Sequence, residues 1–189
     1  MNKSILCLIT IFIITAFFLP AQTTDNPALK TIINNFGARN YAPGGVTRAE
    51  LDLIIQAGIR APSASNRQPW HFTVVQDLAL AKRILSQTTD GNVLIIVSAA
   101  GDGKTNGSVI LDCALAVQSM YLAAQALGLG SRIYTAPMNT INANFKTELG
   151  LPNDHSAVAL VRIGRLPADV DAISSASPRF NAERMVTYK

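Results

Sequence analysis

The side chains that most often carry catalysis are scarce in this chain. It has two histidines, His71 and His155, two cysteines and one tryptophan, and only 15% of its residues are charged. No cluster of cysteines or carboxylates accompanies either histidine, so a metal centre is not indicated. The chain also has no G-x-S-x-G motif, which argues against a serine hydrolase. Two options remain: chemistry carried by a bound cofactor, or no catalysis.

Nucleotide and nucleic-acid motifs are also missing. The formal net charge is +4 at pH 7 without any run of Lys and Arg, so a nucleic-acid partner is not expected. "GDGKT" at 101–105 has Ser98 where a phosphate loop needs its first glycine. "GLGS" at 128–131 follows a helical pattern, whereas a dinucleotide fingerprint follows a strand.

Residues 1–21 have the layout of a secretory signal peptide. Lys3 precedes an apolar run from Ile5 to Leu19, and "PAQ" follows it. The run is short for a membrane-spanning helix, so we expect cleavage near Ala21 and export to the periplasm. An uncleaved N-terminal anchor is the alternative, and only then would the chain be tied to a membrane. Residues 22–189 then form one domain with Cys113 as its only cysteine, expected to be a buried apolar residue in a helix.

The remaining pattern interleaves helices with three or four mostly buried strands. Asn26 and Pro27 suit a helix start, with Gly37 as its C-terminal stop, and Thr47 with Glu50 forms a capping box for a second helix. "NVLIIVSAA" and "SAVALVRIG" predict buried strands, and "VILDCALAVQSMYLAAQALG" predicts a long, central helix. The sequence therefore predicts an α+β or α/β sandwich with helices covering a sheet. The long helix has more apolar surface than a small domain can bury, which favours a homodimer.

The segment "APSASNRQPW" at 61–70 is too specialised for a plain connection. Pro62 and Pro69 stiffen it, and four polar side chains between them offer hydrogen-bond donors and acceptors: Ser63, Ser65, Asn66 and Gln68. Such a loop suits the polar edge of a flat heteroaromatic ring. It equally suits a tight helix-to-strand turn capped by its own side chains, and the residues alone leave both interpretations open.

Three segments in order resemble the FMN-dependent nitroreductase family. They are "RNYAPGGVTRAELDLIIQAGIRAPSASNRQPWHFTVV", "LDCALAVQSMYLAAQALGLGS" and "RFNAERMVTYK", and the similarity covers residues 26–189. The resemblance implies a nitroreductase-like sandwich, with a mostly antiparallel central sheet and an FMN site at each end of a homodimer interface. It implies that the chain holds FMN through eight residues: Arg39, Pro62, Ser63, Asn66, Gln68, Thr135, Ala136 and Arg179. Pro62, Ser63 and Asn66 would come from the partner subunit. Arg179 would bind the phosphate, and the backbone of Thr135 and Ala136 would face the ring. Trp70 and His71 are expected only to pack and to begin a strand.

The chain departs from the family pattern where basic residues are expected. Asn35, Phe36 and Gly37 stand in place of two arginines and a serine, and Ser177 stands in place of a lysine. The phosphate thereby loses one expected cation, and a charged hydrogen bond contributes roughly 1.5–3 kcal/mol. A shortened segment, "SQTTDGN", leaves Gln87 or Asn92 as substitutes for an amide at the flavin edge.

The resemblance implies an FMN-dependent oxidoreductase whose chemistry is carried by the flavin, with no catalytic side chain. Hydride would pass through flavin N5 from a donor such as NAD(P)H to a nitroaromatic, quinone or similar acceptor in a ping-pong scheme. The main alternative is an exported, non-catalytic flavin- or ligand-binding protein with a degenerate site. A third hypothesis is a structural or interaction protein that retains only the fold.

Overall fold

The computed structural model describes residues 25–101, 107–170 and 177–189. The predicted signal peptide and residues 102–106 of the predicted "GDGKT" loop lie outside these ranges. The described elements are α1 (Pro27–Ile33), α2 (Arg48–Ile59), a short 3₁₀ turn (Ala64–Asn66), β1 (Trp70–Val75), α3 (Leu78–Ile84), β2 (Val93–Ala100), α4 (Gly107–Ala126), β3 (Leu129–Tyr134), α5 (Met138–Asn144), β4 (His155–Arg165) and α6 (Ala182–Met185).

The sheet has four strands in the order β1-β2-β4-β3, and every neighbouring pair is antiparallel. The two central strands read as continuous apolar runs because both of their faces are covered. Val93, Ile95 and Val97 face the core shared with α2 and α4, whereas Leu94 and Ile96 face the core shared with α3 and α5. This is the predicted α+β architecture, with a buried antiparallel sheet between helical layers.

The central helix α4 has 20 residues and packs on the sheet and on α2. The side chains on its inner face are fully buried: Cys113, Ala116, Met120 and Ala124. Burial raises the pKa of the Cys113 thiol to about 11, so this cysteine acts as the predicted apolar residue. In the described part of the chain, α4 alone is long and apolar enough to span a membrane by length and composition, but its packing here is that of a core helix.

One of the predicted helix ends is wrong. Helix α1 begins as predicted, with the Asn26 side chain accepting from the amides of Ala28 and Leu29, but it ends at Ile33 rather than before Gly37. Past that point Gln125 on α4 bonds both the amide and the carbonyl of Phe36, which draws the chain out of the helix. The long helix α4 ends at Ala126, just before Gly128, and Gly130 lies inside β3.

Glu50 connects the start of α2 to the end of β4. Its carboxylate accepts from the Thr47 amide, completing the predicted capping box, and receives both terminal nitrogens of Arg165 at 2.7 Å. The bond from Arg165 is the main reason that the pKa of Glu50 falls to about 2. A carboxyl whose pKa is depressed in the fold stabilises the fold above its unfolded pKa and loses that effect as the pH falls.

We therefore expect Glu50→Gln to lower the free energy of unfolding at pH 7 by about 1 kcal/mol, since glutamine keeps the cap but the ion pair is partly exposed. The difference from the original chain should shrink as the pH falls from 4.5 towards 2. Urea unfolding at several pH values measures this. Asp52→Asn is the matched control because its pair with Arg48 is far more exposed. An equal effect of the two substitutions, or a pH-independent one, would contradict the assignment.

Candidate functional site

The loop at 61–70 holds an unusual backbone conformation. Ser65, Asn66 and Gln68 have φ values of 52°, 53° and 48°, in the left-handed region that residues other than glycine seldom adopt. Such residues cost on the order of 1 kcal/mol each and persist only where surrounding contacts fix them. The loop is therefore a rigid, shaped feature rather than a slack connection.

The contacts that fix the loop converge on Asp112 of α4. Its carboxylate accepts from the amide of Ala64 at 2.9 Å and from the guanidinium of Arg67 at 3.0 Å, and Asp112 is only 3% exposed. Arg67 also donates to Ser108 on the first turn of α4, at 2.7 Å. Neither Asp112 nor Arg67 was predicted to have a role. The sequence feature that could have indicated a role for Asp112 is that it is the single carboxylate in the long apolar helix α4.

The polar side chains of the loop serve the loop itself in part. The Ser63 hydroxyl accepts from the amide of Gln68 at 2.9 Å, and the Gln68 side-chain amide donates to the carbonyl and side-chain oxygens of Asn66. Ser65, Asn66 and Gln68 nevertheless remain exposed, and Ser63 and Pro62 are at the surface. Both interpretations left open by the sequence are thus compatible: the loop is self-capped, and it presents a polar face. Trp70 begins β1 and stacks on Phe72, as expected.

A cleft of about 310 Å³ lies elsewhere, between the segment that follows α1, the helix α4 and the strand β3. Its described lining is Asn35, Gly37, Arg39, Gln118, Tyr121, Arg132, Ile133 and Ser177. The segment is held in place from two sides: Ala38 donates to the carbonyl of Ser131 at 2.9 Å, and Tyr121 donates to Asn35 at 3.2 Å. Burial raises the pKa of the Tyr121 hydroxyl, and the nearby charge of Arg179 opposes that rise.

The structure separates the expected cofactor residues into groups. Arg39 lines the cleft, and Arg179 lies beside it, donating to the carbonyl of the lining residue Ser177 at 2.6 Å. Thr135 and Ala136 are exposed and directly follow β3, which contributes Arg132 and Ile133 to the cleft lining. The loop residues 62–68 form the other group, and none of them lines the cleft. Within one chain, then, the amide-bearing loop and the cationic cleft do not meet.

Asn92 is not available as a substitute at the cleft. It is 4% exposed, and its side-chain oxygen accepts from Arg162, from the Thr89 amide and from the Thr89 hydroxyl. Arg162 is itself buried and stacks on Tyr41, with 4.2 Å between the guanidinium carbon and the ring centroid. The side-chain oxygen of Asn92 is therefore used to accept a hydrogen bond from the buried Arg162.

The fold, an antiparallel sheet between helices, is shared with solved nitroreductase structures. A nitroreductase of Desulfovibrio desulfuricans, so named provisionally and solved in complex with FMN, is 30% identical, with a TM-score of 0.73 over 88% of this chain and 98% of that one. A protein of Bacteroides thetaiotaomicron, provisionally named NADH dehydrogenase/NAD(P)H nitroreductase, is 27% identical, with a TM-score of 0.72 over 86% and 97%.

Sequence comparison gives the same assignment. The nitroreductase family model matches residues 38–100 and 85–165. A protein of Archaeoglobus fulgidus, provisionally named NADH dehydrogenase/NAD(P)H nitroreductase, is 31% identical over 166 residues, which cover 83% of this chain and 95% of that protein. The chain belongs to the nitroreductase family, and both the resemblance and the predicted fold class are confirmed.

The role of Asp112 in fixing the loop can be tested by proteolysis. Asp112→Ala removes the acceptor for Ala64 and the partner of Arg67, so trypsin should cleave after Arg67 about tenfold faster or more, given the strength of charged hydrogen bonds. Asp112→Asn keeps one oxygen for the Ala64 amide and should give a smaller increase. Fragment masses recorded over time locate the cut.

Cleavage after Arg60, at the end of α2, is the internal control, and Ser119→Ala, at a half-buried position, controls for a substitution elsewhere on α4. Unchanged cleavage after Arg67 in both Asp112 variants would show that the loop holds its shape without this carboxylate.

Proposed function

We propose that this chain is an FMN-dependent oxidoreductase that passes electrons from a reduced nicotinamide to a conjugated acceptor. The observation that supports this most is the cleft, which carries arginines but no carboxylate among its described lining residues, on a nitroreductase-family fold. Guanidinium groups suit a phosphate, because their planar fork can bind it in bidentate fashion. The donor set therefore fits FMN, the group bound by the D. desulfuricans relative.

Each group of residues has a part in this proposal. Arg39 would hold the negative charge of the reduced cofactor, and Arg179 would bind the phosphate. The amides of Thr135 and Ala136, beyond the ladder that ends at Tyr134, would donate to the ring edge. When bound, FMN supplies the hydride acceptor and donor, so the chain's own side chains need only bind, orient and shield it.

The donor and acceptor are proposed from the same cleft. Because donor and acceptor would share this cleft, the oxidised NAD(P)+ would have to leave before a nitroaromatic or quinone binds, which gives ping-pong kinetics. The provisional names of the A. fulgidus and B. thetaiotaomicron relatives include NAD(P)H. No histidine lines the cleft among the described residues, so protons would come from water.

The proposed active form is a homodimer. The loop at 62–68 and the cleft do not meet within one chain, so Pro62, Ser63, Asn66 and Gln68 can reach a ligand in the cleft only from a second copy. Apolar side chains stand exposed on the helices that would meet that copy: Leu111 and Leu115 on α4, and Leu53 and Ile59 on α2. Their burial in a dimer would contribute about 25 cal/mol for each Å² of apolar surface removed from water.

Export is also proposed, from the apolar segment at Ile5 to Leu19. The N-terminal sequence of the protein purified from an exporting host tests it: a start near Gln22 supports cleavage, and a start at Met1 supports the anchored form. The alternative of a non-catalytic binding protein is motivated by Asn35, Phe36 and Ser177, which lack the charges that the family pattern has at these positions.

The spectrum of the purified protein tests the function. We expect a yellow dimer that retains FMN in stoichiometric amount, is reduced by NADH or NADPH, and is reoxidised without oxygen by a nitroaromatic, with parallel double-reciprocal plots. A yellow protein that no acceptor reoxidises would support the non-catalytic binding protein. A colourless protein that ignores added FMN would contradict both and leave only the fold.

Arg179→Ala should weaken FMN binding on the order of tenfold or more, because a charged hydrogen bond is lost. Quenching of flavin fluorescence on titration measures the dissociation constant. Arg48→Ala is the control, since this arginine is 86% exposed and pairs with Asp52 on α2. Equal affinity in the Arg179 variant and the original chain would remove Arg179 from the site.

A further inference from the structure

Arg132 lines the cleft although no sequence pattern assigned it a role. It lies on β3 directly opposite Arg162, and its guanidinium carbon is 5.4 Å from the centroid of the Tyr134 ring. It is partly buried, and none of the ion pairs between described residues includes it. A cation in this position gains stability from an anion that enters the cleft.

The route of the Arg132 side chain passes over Gly37. A Cβ added at Gly37 would lie 3.7 Å from Cγ and 4.0 Å from Cδ of Arg132, which is ordinary contact distance. The stem of Arg132 therefore lies directly against the backbone at position 37. The glycine that replaces a polar residue of the family pattern is therefore where the arginine crosses.

The positions that lack their expected charge surround the same space. Asn35 and Ser177, where the resemblance leads to basic residues, both line the cleft together with Arg132. Arg39 is a second cation in the lining, and the described lining residues include no carboxylate to neutralise either arginine. The described positive charge of the cleft lining thus lies at Arg39 and at Arg132 on β3, and not at positions 35 and 177.

We propose that Arg132 binds the phosphate of FMN in place of the missing N-terminal arginine. This inference rests on the proposed function, since it assigns a residue to the same cofactor. A dianionic phosphate is the part of FMN that most needs a cation, and a guanidinium fork can bind it through two hydrogen bonds. The site is then rearranged rather than degenerate.

The matched pair of ligands for the test is FMN and riboflavin, which differ by the phosphate alone. Arg132→Met keeps the length of the stem and removes the charge, so the dissociation constant for FMN should rise on the order of tenfold to a hundredfold. Riboflavin binding should stay within about twofold, because no charged hydrogen bond to it is lost. Arg132→Lys should fall between, since lysine keeps the charge but not the fork.

Relocating the charge sharpens the test. Asn35→Arg, introduced into the Arg132→Met chain, should restore FMN affinity in part and leave riboflavin unchanged, since position 35 lines the same cleft. Arg48→Met removes an exposed arginine outside the described lining and should leave both ligands unaffected. Circular dichroism checks that each variant folds. If Arg132→Met does not fold, the test uses Arg132→Lys and compares its loss of affinity for FMN with its loss of affinity for riboflavin.

Three outcomes would overturn the inference. Equal losses for FMN and riboflavin would place Arg132 at the ring or give it only a structural role. An unchanged FMN affinity would leave Arg179 as the proposed phosphate ligand without Arg132. If the original chain binds neither ligand, the proposed function fails as well. If the original chain binds FMN and the Arg132 variants bind it equally well, only this inference is refuted.

Discussion

The buried carboxylate of Asp112 is the interaction on which the candidate site depends. It lies on α4, the helix that fills the core, and holds both a backbone amide and an arginine of the loop at 61–70. A buried carboxylate left without these partners would be costly, so loop and helix stabilise each other. The left-handed residues Ser65, Asn66 and Gln68 keep their conformation because the loop is fixed to the core.

Charge is arranged differently in the scaffold and in the cleft. Arg67, Arg83 and Arg165 each meet a carboxylate that ties separate elements together. Arg39 and Arg132 meet none among the described residues, although both line one cleft. Positive charges that line one cleft without a carboxylate partner repel one another and are stabilised by a bound anion. This arrangement is therefore more typical of an anion-binding site than of a structural ion pair.

Local patterns could be predicted from the sequence because their causes are local. The Asn26 cap, the Thr47–Glu50 capping box and the apolar runs of β2 and β4 need only neighbouring residues. The early end of α1 could not, because it depends on Gln125, far along the chain. Arg132 was missed for a related reason: the direction of its side chain, over Gly37 and into the cleft, follows from packing between distant segments.

The separation of loop and cleft has a thermodynamic consequence if both serve one ligand. A ligand that contacts the cleft of one chain and the loop of another binds the dimer better than the monomer. By linkage, the dimer must then be strengthened by the ligand to the same degree. The exposed apolar residues of α2 and α4 alone would set the strength of the empty dimer. If the proposals of export and of a dimer hold, the chain would complete its assembly when it binds its cofactor, and a bond from Arg132 to the phosphate would affect dimer stability as well as cofactor affinity.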